Sequence, residues 1–149
     1  MKTLCLIVTF LFFISISVFA QLDSNRIFEK SKGTWRYPLR SGMLLGPSTQ
    51  GYMGKKAIFI TGKSDSVFAV FSGHAVSIEE VDSAYLIITK FKDYFITYYG
   101  LTQPLINIGD FVSAGQQIGN LAKDLDGAFS LDIYLNKKSD ELDTHLWFK

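Results

Sequence analysis

The residues able to do chemistry are few. His74 and His145 are the only histidines, and Cys5 is the only cysteine. A catalytic zinc takes three protein ligands, usually His with Asp or Glu, and leaves a fourth position to water. Two histidines far apart in sequence do not make such a set by themselves. His74 follows Gly73 at the start of a strand-like run, and His145 precedes Leu146-Trp147-Phe148 near the end. Each reads first as an ordinary strand or tail residue, and second as a relocated ligand. Ser130, His74 and Asp132 could be assembled into a nucleophilic trio, but no G-x-S-x-G elbow accompanies them. Glu79-Glu80 and Asp140-Glu141 are paired acids, yet sugar hydrolysis needs carboxylates about 5–9 Å apart across a cleft. Adjacent acids read as a solvated strand edge or turn. The glycines of Gly115-Gln116-Gln117-Ile118-Gly119 lack the following helix that would cradle a phosphate.

The elements around these residues are short strands. Ala57–Thr61, Val67–Phe71, His74–Val81, Tyr85–Lys92, Tyr94–Tyr99 and Ala128–Leu135 are apolar or alternate with period two. In the last of these, Phe129, Leu131, Ile133 and Leu135 should face inward, with Ser130, Asp132 and Tyr134 outward. Asp93, Gly109-Asp110, Ala114-Gly115 and Asp124–Gly127 mark turns, as does Gly62–Ser66. Gly33 to Gly54 reads as a loop-rich entry with one or two edge strands, and Asn136–Asp143 as a polar loop. After residue 33 no 3.6-residue period is sustained. The expected fold is therefore all-β: an antiparallel sandwich or barrel-sandwich hybrid behind a loop-rich N-terminal segment. Six aromatics, Tyr85, Phe91, Tyr94, Phe95, Tyr98 and Tyr99, crowd one hairpin. One face of that hairpin must be core, and the other is expected to expose two or three rings that could stack on sugar or dock a partner.

The N-terminus has a different character. Met1-Lys2 precedes the apolar run Leu4–Phe19, and Val18-Phe19-Ala20 ends it. Residues 1–20 read as a secretory signal peptide, with an uncleaved anchor as the alternative. Residues 21–34 form a polar arm, a short helix or a loose segment, and residues 35–149 a single β domain. Cleavage would remove Cys5 and leave no thiol, hence no disulfide and no Cys-rich metal site. An exported, cysteine-free domain fits the periplasm or outer envelope of a bacterium. Without Lys2 the basic and acidic residues balance at 14 each. Nucleic acid is not an expected partner, because it requires a clustered basic face. A membrane is expected only if the leader is retained.

The order of the segments is similar to that of the lysostaphin/LytM-type zinc endopeptidases, which have the duplicated hybrid motif fold. Val67, Ala69 and Gly73 match that family's "V-x-A-x-x-x-G-x-V" element, with Val76 one place beyond its last valine. Thr97, Tyr98 or Tyr99, and Leu101 match its hairpin. Ile106, Gly109, Val112, Gly115, Ile118 and Gly119 match its "V-x-x-G-x-x-V-x-x-G-x-x-I-G" stretch, and Asp143–Lys149 resembles its closing segment. The resemblance covers about residues 35–149 and implies the fold. The family's metal and catalytic positions carry other residues here. Counting back from Val67 places Lys55 and Phe59 on the first metal motif, H-x-G-x-D. Lys90 and Gly100 stand where the hairpin has histidines, and Ser130-Leu131-Asp132 replaces H-L-H. A phenyl ring cannot coordinate, and a lysine opposes a bound cation by charge. The expectation is no metal and no cofactor. Lys55, Phe59, Lys90, Gly100, Ser130 and Asp132 would line a groove without its zinc chemistry.

These readings lead to a non-catalytic envelope domain that binds a protein partner or peptidoglycan, or regulates a cell-wall hydrolase. One alternative is an active metal-dependent peptidoglycan hydrolase with rearranged ligands, such as Asp132 with His74. Another is a lipoyl/biotinyl-like adaptor module, since Ile106–Leu121 resembles its "G-D-x-V-x-x-G" hairpin. That module's carrier form needs a lysine at a hairpin tip in a Met-Lys-Met-like context, which this chain lacks.

Overall fold

Period-two alternation and tight polar turns fold most of the chain into one hydrogen-bonded β-ladder. The computed structural model describes residues 25–45, 55–61 and 63–149. The expected signal peptide with Cys5, the start of the expected arm, Gly46, Gly51 and Gly54 of the expected loop-rich entry, and Gly62 of an expected turn lie outside the described residues. Two units are distinguished, residues 1–31 and 32–149. In the first, residues 25–30 are helical, and the Phe28 carbonyl accepts from both the backbone N–H and the hydroxyl of Ser31.

Among the described residues the second unit holds ten strands: β1 (Met43–Leu45), β2 (Ala57–Thr61), β3 (Ser66–Phe68), β4 (Gly73–Val81), β5 (Ala84–Phe91), β6 (Tyr94–Pro104), β7 (Phe111–Val112), β8 (Gln117–Leu121), β9 (Phe129–Lys137) and β10 (Asp140–Leu142). A 3-10 helix, Thr144–Trp147, follows. The all-β, antiparallel class expected from the sequence is what the chain adopts. Neighbours run β1-β2-β9-β6-β5-β4-β7, with β10 on β9, and β8 joining β6 to β3. The β4–β5 and β5–β6 connections are two-residue turns, with left-handed backbone at Asp82, Ser83 and Lys92. Such turns match the twist of the strands they join.

The inner face follows the predicted alternation. Phe129, Leu131, Ile133 and Leu135 are buried on β9, against Phe59 and Ala57 of β2 and Ile96 and Tyr98 of β6. Ile87 and Thr89 are buried on β5. The hairpin aromatics behave differently from expectation. Tyr94 and Tyr98 are core, while Tyr85, Phe91, Phe95 and Tyr99 are half-buried, so no ring of this group stands fully open. Two strand boundaries also differ. Val67–Phe71 is strand only to Phe68, after which the chain turns a corner with Ala69 and Val70 still buried. Asn136–Asp143 is not a loop, because Lys138 adopts a positive φ and folds β10 back onto β9. That hairpin lies at a sheet edge, so its polar residues carry no inward alternation.

The glycine-rich stretch Ile106–Leu121 clamps the corner. Ala69 exchanges backbone hydrogen bonds with Gly115 and Gln116, and Ala75 does the same with Gly109 and Asp110, all at 2.7–2.9 Å. Between them the buried Tyr98 hydroxyl accepts from the Val70 N–H at 3.0 Å. Burial pushes the ionisation of that phenol well above its usual range. Gly119 is required by close approach. A Cβ there would lie 2.8 Å from the Gln103 carbonyl oxygen and in collision with the Leu101 side chain.

Removing the phenol oxygen by Tyr98→Phe leaves a buried N–H without its partner and should lower unfolding free energy by about 1–3 kcal/mol in urea titrations. Gly119→Ala forces β6 and β8 apart and should lower it by about 2 kcal/mol or more, with a matching drop in Tm.

Candidate functional site

The outer face of β2, β9, β6 and β5 is the surface on which the family resemblance places its site. The ladder arranges it in rows. Ile58, Asp132, Tyr99 and Leu86 form one row by direct cross-strand pairing. Tyr134, Thr97 and Ile88 form the next, and Asn136, Phe95 and Lys90 a third. Ile60 pairs with Ser130 at the other end. Apart from Lys90, which is exposed, every one of these residues is half-buried. The face is thus sheltered but not core.

Its centre is a charge pair. The Lys56 ammonium donates to Asp132 Oδ2 at 2.6 Å, with side-chain exposures of 23% and 18%. The same ammonium lies 5.7 Å from the centre of the Tyr134 ring. Burial alone would lower the pKa of Lys56. The hydrogen bond and charge of Asp132, with a smaller contribution from Tyr134, outweigh burial and raise it above the ordinary lysine value.

The predicted site residues divide. Ser130 and Asp132 share this outward face of β9, two residues apart. Gly100 is close to them, since a Cβ on it would meet the Ser130 carbonyl oxygen at 3.1 Å. Its φ of +111° lies where residues with side chains are strained. Lys90 is on the same face but at the β5 end, with its ammonium 5.2 Å from the Phe95 ring centre. Lys55 and Phe59 are not brought to this face as counting placed them. Lys55 turns to the Glu141 carbonyl at 2.9 Å. Phe59 is fully buried, stacking edge-on against Phe148 and Tyr37. Lys56 and Ile58 occupy the face instead. The count crossed the loop before β3, whose length no periodicity fixes, and a one-residue slip exchanges the two faces of a strand. The available signal was the alternation of Ala57, Phe59 and Thr61 against Lys56, Ile58 and Ile60. Apolar residues on both faces of β2 hid it.

The residues on this face do not fit a catalytic zinc. They offer one carboxylate, already bonded to an ammonium, and no imidazole. Among the described residues no group of three or more His, Cys, Asp or Glu side chains is placed to hold a metal ion. His74 lies on β4, three strand positions from Asp132 in the order β9-β6-β5-β4. At about 4.8 Å per strand that is about 14 Å, too far for one shared ion or for a Ser130–His74–Asp132 relay. His74 packs edge-on against Phe111, and His145 Nδ1 lies 3.4 Å from Asp143.

This β-ladder is the lysostaphin/LytM-type peptidase-like fold. Among solved structures, the chain is similar to Csd3 of Helicobacter pylori, with a TM-score of 0.63 at 14% identity over 79% of this chain and 34% of that one. It is similar to lysostaphin, with a TM-score of 0.55 at 21% identity over 73% of this chain and 48% of that one. It is also similar to a chain of the SpoIIQ–SpoIIIAH pore forming complex, with a TM-score of 0.58 at 21% identity over 71% of this chain and 72% of that one. The chain thus spans about a third of Csd3 and about half of lysostaphin. No family model matches it, and no curated protein matches it.

Because the folded-state pKa of Lys56 is raised, its stabilisation is complete below the unfolded lysine pKa, about 10.4, and is lost as pH rises through the folded value. Lys56→Met should be less stable than the parent by about 1–3 kcal/mol at pH 7. That gap should stay constant to about pH 10 and close above it, read as the difference between paired urea titrations.

Proposed function

We propose that this chain is a non-catalytic cell-envelope domain that uses the lysostaphin-type sheet face to bind a protein partner or peptidoglycan. The observation that carries this reading is the Lys56–Asp132 pair. Asp132 is the one carboxylate at a position where the resemblance expects a metal ligand, and a built-in ammonium satisfies its charge. An exchangeable Zn²⁺ would have to displace that ammonium and then find two further ligands on a face that offers Ile58, Tyr99 and Ser130. The half-buried aromatic and aliphatic rows suit binding: Tyr134, Tyr99 and Phe95 give stacking surfaces beside Ile58, Ile60, Leu86 and Ile88. The similar chain in the SpoIIQ–SpoIIIAH complex supports a protein partner for such a domain. Residues 1–20 would direct export, residues 21–34 serve as an arm, and residues 35–149 form the binding domain. Among the described residues no helix is long and apolar enough to cross a membrane.

Purified chain incubated with excess Zn²⁺ and then desalted should retain far less than one equivalent and should leave peptidoglycan sacculi uncleaved. It should sediment with the sacculi or with an envelope protein, and Tyr99→Ala should reduce that binding. Stoichiometric zinc together with cleavage that a chelator abolishes would sink the proposal.

A further inference from the structure

A second surface stands apart from this face. Along the outer edge of β4, β7 supplies partners only at the start: Phe111 opposite His74 and Val112 opposite Gly73. Ala75 then bonds to Gly109 and Asp110, and the chain leaves the edge. From Val76 to Val81 the described residues place no strand on that side, although the other side is paired with β5 throughout Ser77–Val81. The two-residue turn Asp82-Ser83 makes Val81 and Ala84 a hydrogen-bonded pair. By alternation, Glu79 and Ser77 also bond inward, while Ile78 and Glu80 direct their N–H and C=O groups outward. Unpaired strand edges are templates for another strand, and β7 demonstrates antiparallel pairing on this same edge.

The chemistry along the edge selects the occupant. From Ala75 to Thr89 the hairpin carries three carboxylates, Glu79, Glu80 and Asp82, and no basic residue. All three residues are exposed. Val76 and Val81 are 40% and 38% exposed, and Ile108 and Phe111, where β7 leaves off, are 63% and 59% exposed. A second copy is disfavoured: pairing β4 on β4 antiparallel sets the acids of one chain against those of the other, and like charges across a ladder repel. We propose that this edge accepts an extended segment of another protein. That segment runs antiparallel to β4 in line with β7, with lysine or arginine facing Glu79 and Glu80 and apolar residues facing Val76 and Val81. Backbone hydrogen bonds from Ile78 and Glu80 would supply affinity, and the alternate side chains specificity. The edge borders the sheet face described above but does not use Lys56 or Asp132.

The test uses the full chain and two blocked eight-residue peptides, Thr-Val-Lys-Lys-Val-Thr-Val-Thr, which sets its lysines opposite Glu80 and Glu79 and a valine opposite Val81, and the same peptide with glutamate in place of both lysines. The lysine peptide should bind at least tenfold more tightly than the glutamate peptide and weaken with added salt, by titration calorimetry. The double variant Glu79→Lys/Glu80→Lys should reverse the preference. Glu80→Pro removes an outward N–H that the β4–β5 ladder does not use, and should abolish binding with the far-ultraviolet spectrum unchanged. Should Glu80→Pro fail to fold, the charge-reversal variant decides alone. Asp132→Ala should leave peptide binding unaltered, which separates this edge from the sheet face. Equal affinity for both peptides, no binding up to about 1 mM, or a dimer that sedimentation detects and Glu80→Pro dissolves would each overturn the proposal.

Discussion

Strand β6 changes neighbours in mid-course, and the rest of the structure depends on that change. From Tyr94 to Tyr99 it pairs with β9, and from Leu101 to Pro104 with β8. Gly100 sits at the switch with a φ of +111°. A backbone turned there lets one strand belong to both halves of the ladder. It brings Tyr98 under the Val70 corner on the inner side and Tyr99 beside Asp132 on the outer side. A histidine at Gly100 would have to adopt a strained backbone and crowd the Ser130 carbonyl. The geometry that holds the fold together therefore also leaves the chain without a side chain at this switch.

The Lys56–Asp132 pair gives that face its electrostatic character. A half-buried carboxylate without a counter-charge would be costly to keep ionised or would bind a cation from solution. Lys56 supplies the counter-charge internally, and the Tyr134 ring flanks it. Around the pair lies a sheltered surface of rings and branched aliphatics, with the exposed Lys90 at its β5 end. Such a surface offers contact area and stacking rather than a charged centre for bond cleavage. The acidic edge at β4 is its opposite: open backbone groups, exposed carboxylates and a line of pairing already begun by β7.

Much of the fold was legible in the residues. The alternation of Phe129, Leu131, Ile133 and Leu135 placed both faces of β9 correctly, and with them Ser130 and Asp132 as an outward pair. The glycines of Ile106–Leu121 marked real turns, and Gly119 proved to be set by close packing rather than by a turn. The β9–β10 hairpin was hidden because an exposed edge hairpin needs no apolar side. The place of Lys55 and Phe59 was misread because β2 is apolar on both faces and the loop after it has no fixed length.

The sequence by itself determined most of the strands, which faces β9 buries, and that histidines are too few to supply the resemblance's metal motifs. Those properties are local, written in side-chain type and period two. Only the tertiary structure decided that Lys56 rather than Lys55 meets Asp132, that His74 lies three strands away, and that Gly100 marks the switch in β6. Each depends on register and strand order, which are fixed when distant segments pair and cannot be counted along the chain across loops of unconstrained length.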